Sequence, residues 1–481
     1  MTEENKRLHS SSDWKKWGPY ISERQWGTVR EDYSASGLAW ESLTHDMARS
    51  KAYRWGEDGI GGICDDFQRI CFSWAFWNTN DAIIKERLFG LTGVEGNHGE
   101  DVKELYYYLD STPTHSYMKM LYKYPQKKFP YADLVDINRQ TSKLEKEYEI
   151  LDSGAFDNNE YFDIFMEYAK DDVDDLYLKI TAYNRADQEA PLVIMPTIWF
   201  RNTWSSRVEP IKPAVKQTGD NRLNIRHHSL GSYLIYFEEE PDEFAFCNNE
   251  TNRRKLYHAP NPSRYLKDGI NDYLIHGNKT VSTRKTGTKC AGIFKKSIPA
   301  GESVTLKIRF TDTPSKDPFE EFDAVFDKRK KECDEFYNAL QPEGITEDHK
   351  NIQRQAYAGM LWSKQFYYYN VREWLEGDEG KQKPPPIRKK GRNSSWTHLD
   401  NFDIISMPDK WEYPWYAAWD LAFHCIPLAR LDAEFAKKQL LLFLDERYLH
   451  PNGQIPAYEW SFSDVNPPVH AWGVLRVFQI D

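Results

Sequence analysis

The sequence predicts a multidomain β + α protein, in which an N-terminal β-sandwich is followed by a helical region. Three observations lead to this fold class. Short segments of alternating apolar and polar residues, separated by turn residues, dominate residues 51–315. Near residue 315 the apolar repeat lengthens to helical spacing. No Gly-x-Gly-x-x-Gly or Walker loop is present to indicate a nucleotide-binding βαβ unit.

The pattern divides the chain into three parts. Residues 1–50 are polar with scattered aromatics and are predicted to form an N-terminal extension. Residues 51–315 are predicted to form the sandwich, in which 176–183 and 304–310 are strands and 231–266 supplies further short strands. Residues 316–481 are predicted to be helical.

Three helices are predicted in the last part. Thr346 is typical of a helix start, and the apolar repeat that follows predicts a helix running towards Trp374. A second helix is predicted over 415–431, with a break or kink at Pro427. Asp432 is predicted to cap a third helix, which carries Phe435, Ala436, Leu440 and Phe443 at helical spacing.

A loop with three prolines and a basic cluster, 381–393, interrupts the helical region. Such a basic run is typical of a solvated surface. The alternative is that it binds an anionic sugar.

Composition excludes several function classes. A net charge of −11 disfavours a nucleic-acid partner, and no apolar run is long enough to span a membrane. The N-terminus lacks the apolar stretch of a signal peptide, and the six scattered cysteines predict reduced, buried thiols, so a cytoplasmic location is expected. Neither a metal site nor a cofactor is predicted, and the oligomeric state is left open.

The segment 411–424 carries the strongest chemical signal. It places three tryptophans and two tyrosines around Asp420, and apolar walls raise the pKa of a carboxyl group. A carboxyl that stays protonated near neutral pH can donate a proton to a leaving group, and aromatic faces stack on sugar rings. The alternative is an aromatic core helix in which Asp420 is a cap or a salt-bridge partner. His424, one turn later, shares the helix face of Asp420, and a buried histidine bonded to backbone is the favoured interpretation.

The motif Trp419-Asp420-x-x-Phe423-His424 resembles the signature of glycoside hydrolase family 63, which contains processing α-glucosidase I and is close to the mannosylglycerate hydrolases. Segments 54–59, 96–101, 407–415, 453–460 and 466–472 resemble a bacterial and fungal branch of that family. The resemblance implies a supersandwich-like β domain joined to an (α/α)6 barrel, and an inverting mechanism with Asp420 as general acid. It also implies that only the first barrel helices are present, and that the general base is a glutamate beyond residue 481, so that the chain is a C-terminally truncated fragment.

Inversion requires a second carboxyl roughly 6.5–9.5 Å from the acid, to leave room for a water. Within the chain, Glu412, Glu459 and Asp464 are candidates. The residues predicted to bind substrate are Trp411, Glu412, Trp415, Trp419, His424, Glu459, Trp460, His470 and Trp472, and Asn97, His98 and Glu100 are predicted to form a loop at the mouth of the funnel.

Three functions follow from these residues. The first is an inverting hydrolase of α-glucosyl or α-mannosyl linkages, with a carbohydrate substrate as its partner. The second is a phosphorylase of the same architecture, in which phosphate replaces the activated water. The third is a non-catalytic carbohydrate-binding or structural protein.

Overall fold

The computed structural model describes residues 1–25, 30, 43–92, 95, 101–205, 211–377, 384–391, 393–408, 410, 417–455 and 466–481. The helices are α1 (Glu3–Leu8), α2 (His45–Ser50), α3 (Tyr131–Gln140), α4 (Arg253–Tyr257), α5 (Gly269–His276), α6 (Phe322–Leu340), α7 (Glu347–Trp362), α8 (Val371–Glu376), α9 (Ala418–Leu431), α10 (Ala433–Leu442) and α11 (Val469–Ile480). Short 3₁₀ helices lie at Ile150–Ser153, Asp157–Asn159, Pro386–Lys390 and Glu446–Tyr448.

The strands are β1 (Trp17–Gly18), β2 (Ile60–Asp65), β3 (Ile70–Trp77), β4 (Gly90–Leu91), β5 (Asp101–Val102), β6 (Leu105–Ser111), β7 (Tyr117–Pro125), β8 (Tyr161–Asp172), β9 (Asp175–Asn184), β10 (Ala190–Phe200), β11 (Ala214–Gly219), β12 (Arg222–His227), β13 (Gly231–Phe237), β14 (Glu243–Cys247), β15 (Thr286–Gly287), β16 (Lys289–Ile298), β17 (Ser303–Thr311), β18 (Lys364–Asn370) and β19 (Asp400–Ser406). The strands predicted at 176–183 and 304–310 are confirmed as β9 and β17, which pair antiparallel with each other.

Two large antiparallel sheets form the N-terminal part. One has six strands in the order β1-β2-β3-β10-β16-β14, and the other has nine in the order β15-β11-β12-β13-β17-β9-β8-β7-β6. Their inner faces share one apolar core, in which Trp74 and Ile194 of the first sheet join Met166 and Ile180 of the second. The chain is therefore a mixed β and α protein with a large β-sandwich in its N-terminal part.

Helices cover part of the outer face of each sheet. Ile270 of α5 packs against the outer face of the six-stranded sheet. Helix α6 covers the nine-stranded sheet, where its Phe322 contacts Tyr177 with ring centroids 5.4 Å apart. The outer face of the nine-stranded sheet is only partly buried, since Lys216, Arg226 and Thr305 are exposed on it, so apolar and polar positions alternate along these strands.

Helix α7 starts where the sequence predicts and ends earlier. The side chain of Thr346 accepts a hydrogen bond from the backbone of His349, as an N-cap does. The predicted run towards Trp374 is wrong, because the helix ends at Trp362 and β18 follows. That aromatic segment is extended because it pairs along its whole length with β19, and its side chains are buried on both faces of this ribbon.

Helices α9, α10 and α11 pack against one another at the C-terminal end. The helix predicted over 415–431 begins only at Ala418, because Ala417 has non-helical backbone angles, and it continues through Pro427 to Leu431. The predicted cap of α10 is confirmed, since the carboxylate of Asp432 accepts a hydrogen bond from the amide of Phe435 at 3.0 Å.

The solvated surface predicted for the basic loop is confirmed at Lys389 and Lys390, which are exposed, and does not extend to Arg388. Its guanidinium is buried, lies 4.1 Å from the ring centroid of Trp374 and donates to the carbonyl of the same residue. Arg388 therefore anchors the loop to α8, while the neighbouring Lys389 and Lys390 are exposed.

All six cysteines are buried free thiols, as the sequence predicts. Within the described ranges, none of the helices combines the length and the apolar character needed to cross a bilayer.

Candidate functional site

Asp420 lies in the first turn of α9, at its third residue. Its side chain is half-buried, and burial raises the pKa of this carboxyl, an effect that a hydrogen bond from its own backbone amide partly offsets. In the part of the chain that the structure describes, no cation pairs with it. A carboxyl group whose pKa is raised by desolvation is suited to donate a proton near neutral pH.

His424 follows one turn later on the same face of the helix. Its Nδ1 lies 3.2 Å from the hydroxyl oxygen of Ser406, at the end of β19. Burial lowers the pKa of His424, so the imidazole is neutral near pH 7. The partner is thus a hydroxyl group from a neighbouring strand, which the sequence pattern did not indicate.

Gln439 of α10 fixes this strand end in place. Its side-chain oxygen accepts a hydrogen bond from the amide of Ser406 at 3.1 Å, and its nitrogen donates to the carbonyl of Ile404 at 3.0 Å. The two hydrogen bonds tie β19 to α10, and they hold Ser406 where it meets His424.

Three aromatic rings of α9 and α11 form a connected row. Trp419 contacts Phe423 edge-on with centroids 6.2 Å apart, and Phe423 contacts Trp472 of α11 at 5.5 Å. Phe423 and Trp472 are 42% and 44% exposed, so both present ring surface to solvent. The close approach of α11 requires Gly473, since a Cβ there would lie 3.0 Å from the carbonyl oxygen of Ala422. The structure thus brings Trp419 and Trp472 together through Phe423, a contact that the sequence did not predict.

His470 lies in the first turn of α11, two residues before Trp472. It is half-buried, and burial lowers its pKa. The remaining predicted site residues, Trp411, Glu412, Trp415, Glu459, Trp460 and Asp464, lie outside the described residues, as do Asn97, His98 and Glu100.

Lys410, a few residues before α9 in the sequence, is buried, and the sequence analysis did not single it out. Its ammonium donates to the carbonyls of Pro19 at 2.8 Å and Trp362 at 2.7 Å. The hydroxyl of Ser22 donates in turn to the carbonyl of Lys410. Lys410 therefore joins the N-terminal segment and the end of α7 directly before the aromatic segment that leads to α9.

A second buried polar cluster lies in the sandwich, on the outer side of the six-stranded sheet. It surrounds a cavity of about 20 Å³ and contains three acids and three bases, which are Glu57, Asp58, Glu86, Arg87, Lys267 and Lys289. These residues come from distant parts of the chain, so no local pattern predicts the cluster.

The charges of this cluster are paired or hydrogen-bonded. The guanidinium of Arg87 donates to Asp58 at 3.0 Å, and Lys289 pairs with Glu86. Burial alone would raise the pKa of Glu86, but Lys289 and Arg87 outweigh it and lower that pKa to about 2. Because the charges are compensated within a cavity of this size, we interpret the cluster as structural.

Glu57 differs from Glu86 in the direction of its pKa shift. Its carboxylate accepts a hydrogen bond from Asn249 at 2.8 Å, yet burial raises its pKa to about 7 despite the nearby charge of Lys267. The ammonium of Lys267 donates to the carbonyl of Lys51 at 2.7 Å and lies 3.8 Å from the ring centroid of Tyr53.

Comparison with known proteins finds a long relative of this chain. No family model matches the chain. The uncharacterized protein YMR196W of Saccharomyces cerevisiae is 46% identical over 533 aligned residues, which include 100% of this chain and 49% of that protein. The chain thus spans about half the length of the curated relative that it matches.

Similarity to solved structures is weak. A candidate kojibiose phosphorylase from the human microbiome is 8% identical, with 78% of this chain and 40% of that chain covered and a TM-score of 0.20. The family GH92 α-mannosidase of Bacteroides thetaiotaomicron is 10% identical, with 92% and 56% covered and a TM-score of 0.24. TM-scores this low support no conclusion about fold or activity.

Proposed function

We propose that this chain is part of a carbohydrate-cleaving enzyme in which Asp420 is the general acid. The observation that carries the proposal is the state of Asp420: a half-buried carboxyl with a raised pKa, no ion-pair partner among the described residues, and a position directly after Trp419, the first ring of the aromatic row. A structural carboxylate at a helix start would be expected to have a lowered pKa, because amide donors and the helix dipole favour its charged form.

The proposed reaction is inverting hydrolysis of an α-glucosyl or α-mannosyl linkage, as the family 63 motif suggests. Asp420 donates its proton to the glycosidic oxygen while the bond between that oxygen and the anomeric carbon breaks. A second carboxylate removes a proton from the water that attacks the opposite face of the sugar. We assign this base to a glutamate of a longer polypeptide, comparable in length with the yeast relative, of which this chain covers 49%.

The aromatic row is the proposed sugar platform. Trp419, Phe423 and Trp472 form a connected series of rings, and two of them are partly exposed. Aromatic faces provide large apolar contact area at low cost in conformational entropy. The neutral imidazole of His424, held by Ser406, adds a hydrogen-bonding group on the face that carries Asp420.

The decisive experiment replaces Asp420 by Asn in the longer enzyme that contains this chain. We expect kcat/KM on a natural, unactivated glycoside to fall by about 10²–10⁴, the usual contribution of a general acid. An aryl glycoside with a good leaving group needs less protonation, so its kcat should fall much less. The matched control is Asp133→Asn, because Asp133 is the third residue of α3 and is exposed.

Two outcomes would contradict the assignment. Activity of Asp420→Asn within tenfold of the wild type on the unactivated substrate would exclude the role of proton donor. Equal losses on both substrates would indicate a binding or folding defect. Running the assay with and without phosphate separates hydrolysis from phosphorolysis.

The pH profile tests the cause of the raised pKa. A general acid must be protonated, so activity is lost as the pH rises through its pKa, and Asp420 should set the alkaline limb of kcat/KM. Replacing Trp419 by Gln should admit water and lower that pKa, which moves the alkaline limb to lower pH. An unchanged alkaline limb in Trp419→Gln would show that burial by this ring does not raise the pKa.

A further inference from the structure

A cleft of about 540 Å³ lies where the edges of the two large sheets meet, in the sandwich. Strand β15 pairs with β11 of the nine-stranded sheet, and the amide of Thr288, directly after β15, donates to the carbonyl of Cys247 in the six-stranded sheet at 3.1 Å. This approach requires glycine at 287, because a Cβ there would collide with the carbonyl oxygen of Cys247. The floor of the cleft is therefore a fixed junction of backbone from both sheets.

The charged side chains that line the cleft are all cationic, in a chain whose net charge is −11. They are Lys212, Arg264 and Arg284. The ammonium of Lys212 pairs with Glu250 at 2.7 Å. Within the described ranges, the guanidinium groups of Arg264 and Arg284 have no ion-pair partner, so two positive charges are left uncompensated.

The backbone beneath both arginines is held by hydrogen bonds. The amide of Arg284 donates to the hydroxyl of Ser282 at 3.2 Å. The next residue, Lys285, has a φ of +52°, which side-chain-bearing residues rarely adopt, and its carbonyl accepts from the amide of Gln217 at 3.1 Å. A turn that keeps a non-glycine residue in this conformation is strongly determined by its surroundings.

The segment that carries Arg264 is fixed in a similar way. The carbonyl of Tyr265 accepts a hydrogen bond from the amide of Asn248 at 3.1 Å, and the guanidinium of Arg264 lies 5.9 Å from the centroid of the Tyr265 ring. Both arginines thus lie on hydrogen-bonded backbone segments that line one cleft.

We infer that this cleft binds a phosphate monoester carried by a polyhydroxylated ring, such as a small sugar phosphate. A phosphate monoester carries about −1.5 to −2 charges at neutral pH, which matches two uncompensated guanidinium groups. Guanidinium groups bind phosphate oxygens through paired hydrogen bonds. Ser282 also lines the cleft, and its hydroxyl, which accepts a hydrogen bond from the amide of Arg284, can donate to a hydroxyl group of the ring. Asn248 and Ser263 line the cleft too and are hydrogen-bonded to each other at 3.5 Å. The volume lies within the range of about 300–1,000 Å³ for small-molecule sites.

The test is isothermal titration calorimetry on the 481-residue chain at low ionic strength, with glucose 6-phosphate, inorganic phosphate and glucose as probes. We expect glucose 6-phosphate to bind at least fivefold more tightly than inorganic phosphate, and glucose not to bind measurably. The double variant Arg264→Ala/Arg284→Ala should weaken glucose 6-phosphate binding at least tenfold with an unchanged melting temperature. Arg139→Ala, an exposed arginine on α3, is the control and should bind like the wild type.

Three outcomes would overturn the inference. If glucose 6-phosphate does not bind, or if the double variant binds it as tightly as the wild type, the cleft is not the proposed binding site. Equal affinity for inorganic phosphate and glucose 6-phosphate would show that the cleft does not recognise the polyhydroxylated ring. If the protein cosediments with phosphoinositide-containing vesicles but does not bind soluble sugar phosphate, the ligand is a lipid headgroup of the same chemistry, and the inference of a soluble ligand is wrong.

Discussion

The sandwich and the C-terminal helices place their apolar side chains in opposite environments. In the sandwich core, Trp74 of β3 and Trp362, the last residue of α7, are fully buried. On α11, Trp472, Leu475 and Phe478 are 44%, 52% and 80% exposed. A helix that is apolar on most of its surface belongs in a protein interior. The apolar residues of the sandwich core are thus covered within this chain, whereas part of the apolar surface of α11 is exposed.

The environments of the carboxyl groups also differ between the two regions. In the sandwich, Asp58 and Glu86 each pair with a cation, as buried charges do when they serve the fold. Asp420 in the helical region is half-buried without an ion pair among the described residues, and its pKa is raised. A perturbed carboxyl without a compensating partner is typical of functional sites.

The largest expected difference is between two tryptophans. Trp362 is fully buried, stacks on Tyr108 at 5.2 Å and donates to the carbonyl of Asp110 at 3.0 Å. We expect Trp362→Ala to lower the free energy of unfolding by about 3–5 kcal/mol, the usual cost of such a cavity. Trp472→Ala, which removes a partly exposed ring, is the matched control and should cost less than about 1 kcal/mol. Urea unfolding followed by circular dichroism measures both, and similar losses would refute the contrast between the regions.

A smaller effect is expected from Glu57, a buried carboxyl of the sandwich whose pKa is raised. Because the folded-state pKa of Glu57 is raised to about 7, its stabilising contribution is present below the ordinary carboxyl pKa and is lost as the pH rises through 7. Glu57→Gln should therefore reduce the fall in the free energy of unfolding between pH 5 and pH 8 by about 1–3 kcal/mol.

The control for Glu57→Gln is Glu320→Gln, at an exposed position, which should leave the pH dependence unchanged. The measurement is urea unfolding at a series of pH values. A variant that keeps the wild-type slope would show that Glu57 is ionised at little cost in the folded protein.

The smallest effect on stability, with a clear effect on solubility, is expected at the exposed face of α11. Replacing Leu475 and Phe478 by Ser should change the free energy of unfolding of the 481-residue chain by less than about 0.5 kcal/mol, since both side chains are exposed. The same change should lower the binding of a hydrophobic dye and slow aggregation, because it removes part of an exposed apolar patch.

In a longer polypeptide that covers this face, the same double replacement should instead destabilise the protein, by about 1.5–3 kcal/mol for each buried side chain. The control is the same double replacement in the 481-residue chain. Equal behaviour in both would show that α11 is solvent-exposed in the longer protein as well.

Local sequence signals predicted the elements whose structure is decided locally. The alternation in β9 and β17 and the caps at Thr346 and Asp432 depend on residues within a few positions, and the structure confirms them. The end of α7 was not predicted, because β18 is extended by pairing with β19, which begins thirty residues after β18 ends. Apolar periodicity carries no information about such a distant partner.

The residues of the candidate site also fall into those that a local sequence pattern predicts and those that it does not. Asp420 and His424 could be recognised from a motif within one helical turn, whereas Ser406 and Lys410 meet their partners only through the tertiary fold. The buried cluster shows the same limit, since Lys289 and Glu86 are 203 positions apart. The functional roles proposed for Asp420 and the aromatic row remain predictions to be tested by the substitutions above.

The ammonium of Lys410 has a consequence for the order of events during synthesis. It closes a contact with Pro19 across 391 positions, and a ribosome that adds about 5–20 residues per second needs roughly 20–80 s to supply them. The first two dozen residues therefore leave the ribosome long before Lys410 is made. The contacts of Lys16 and Trp17 with Asp174 can form much earlier in synthesis, so the junction at Lys410 closes on an N-terminal segment that the sandwich already holds.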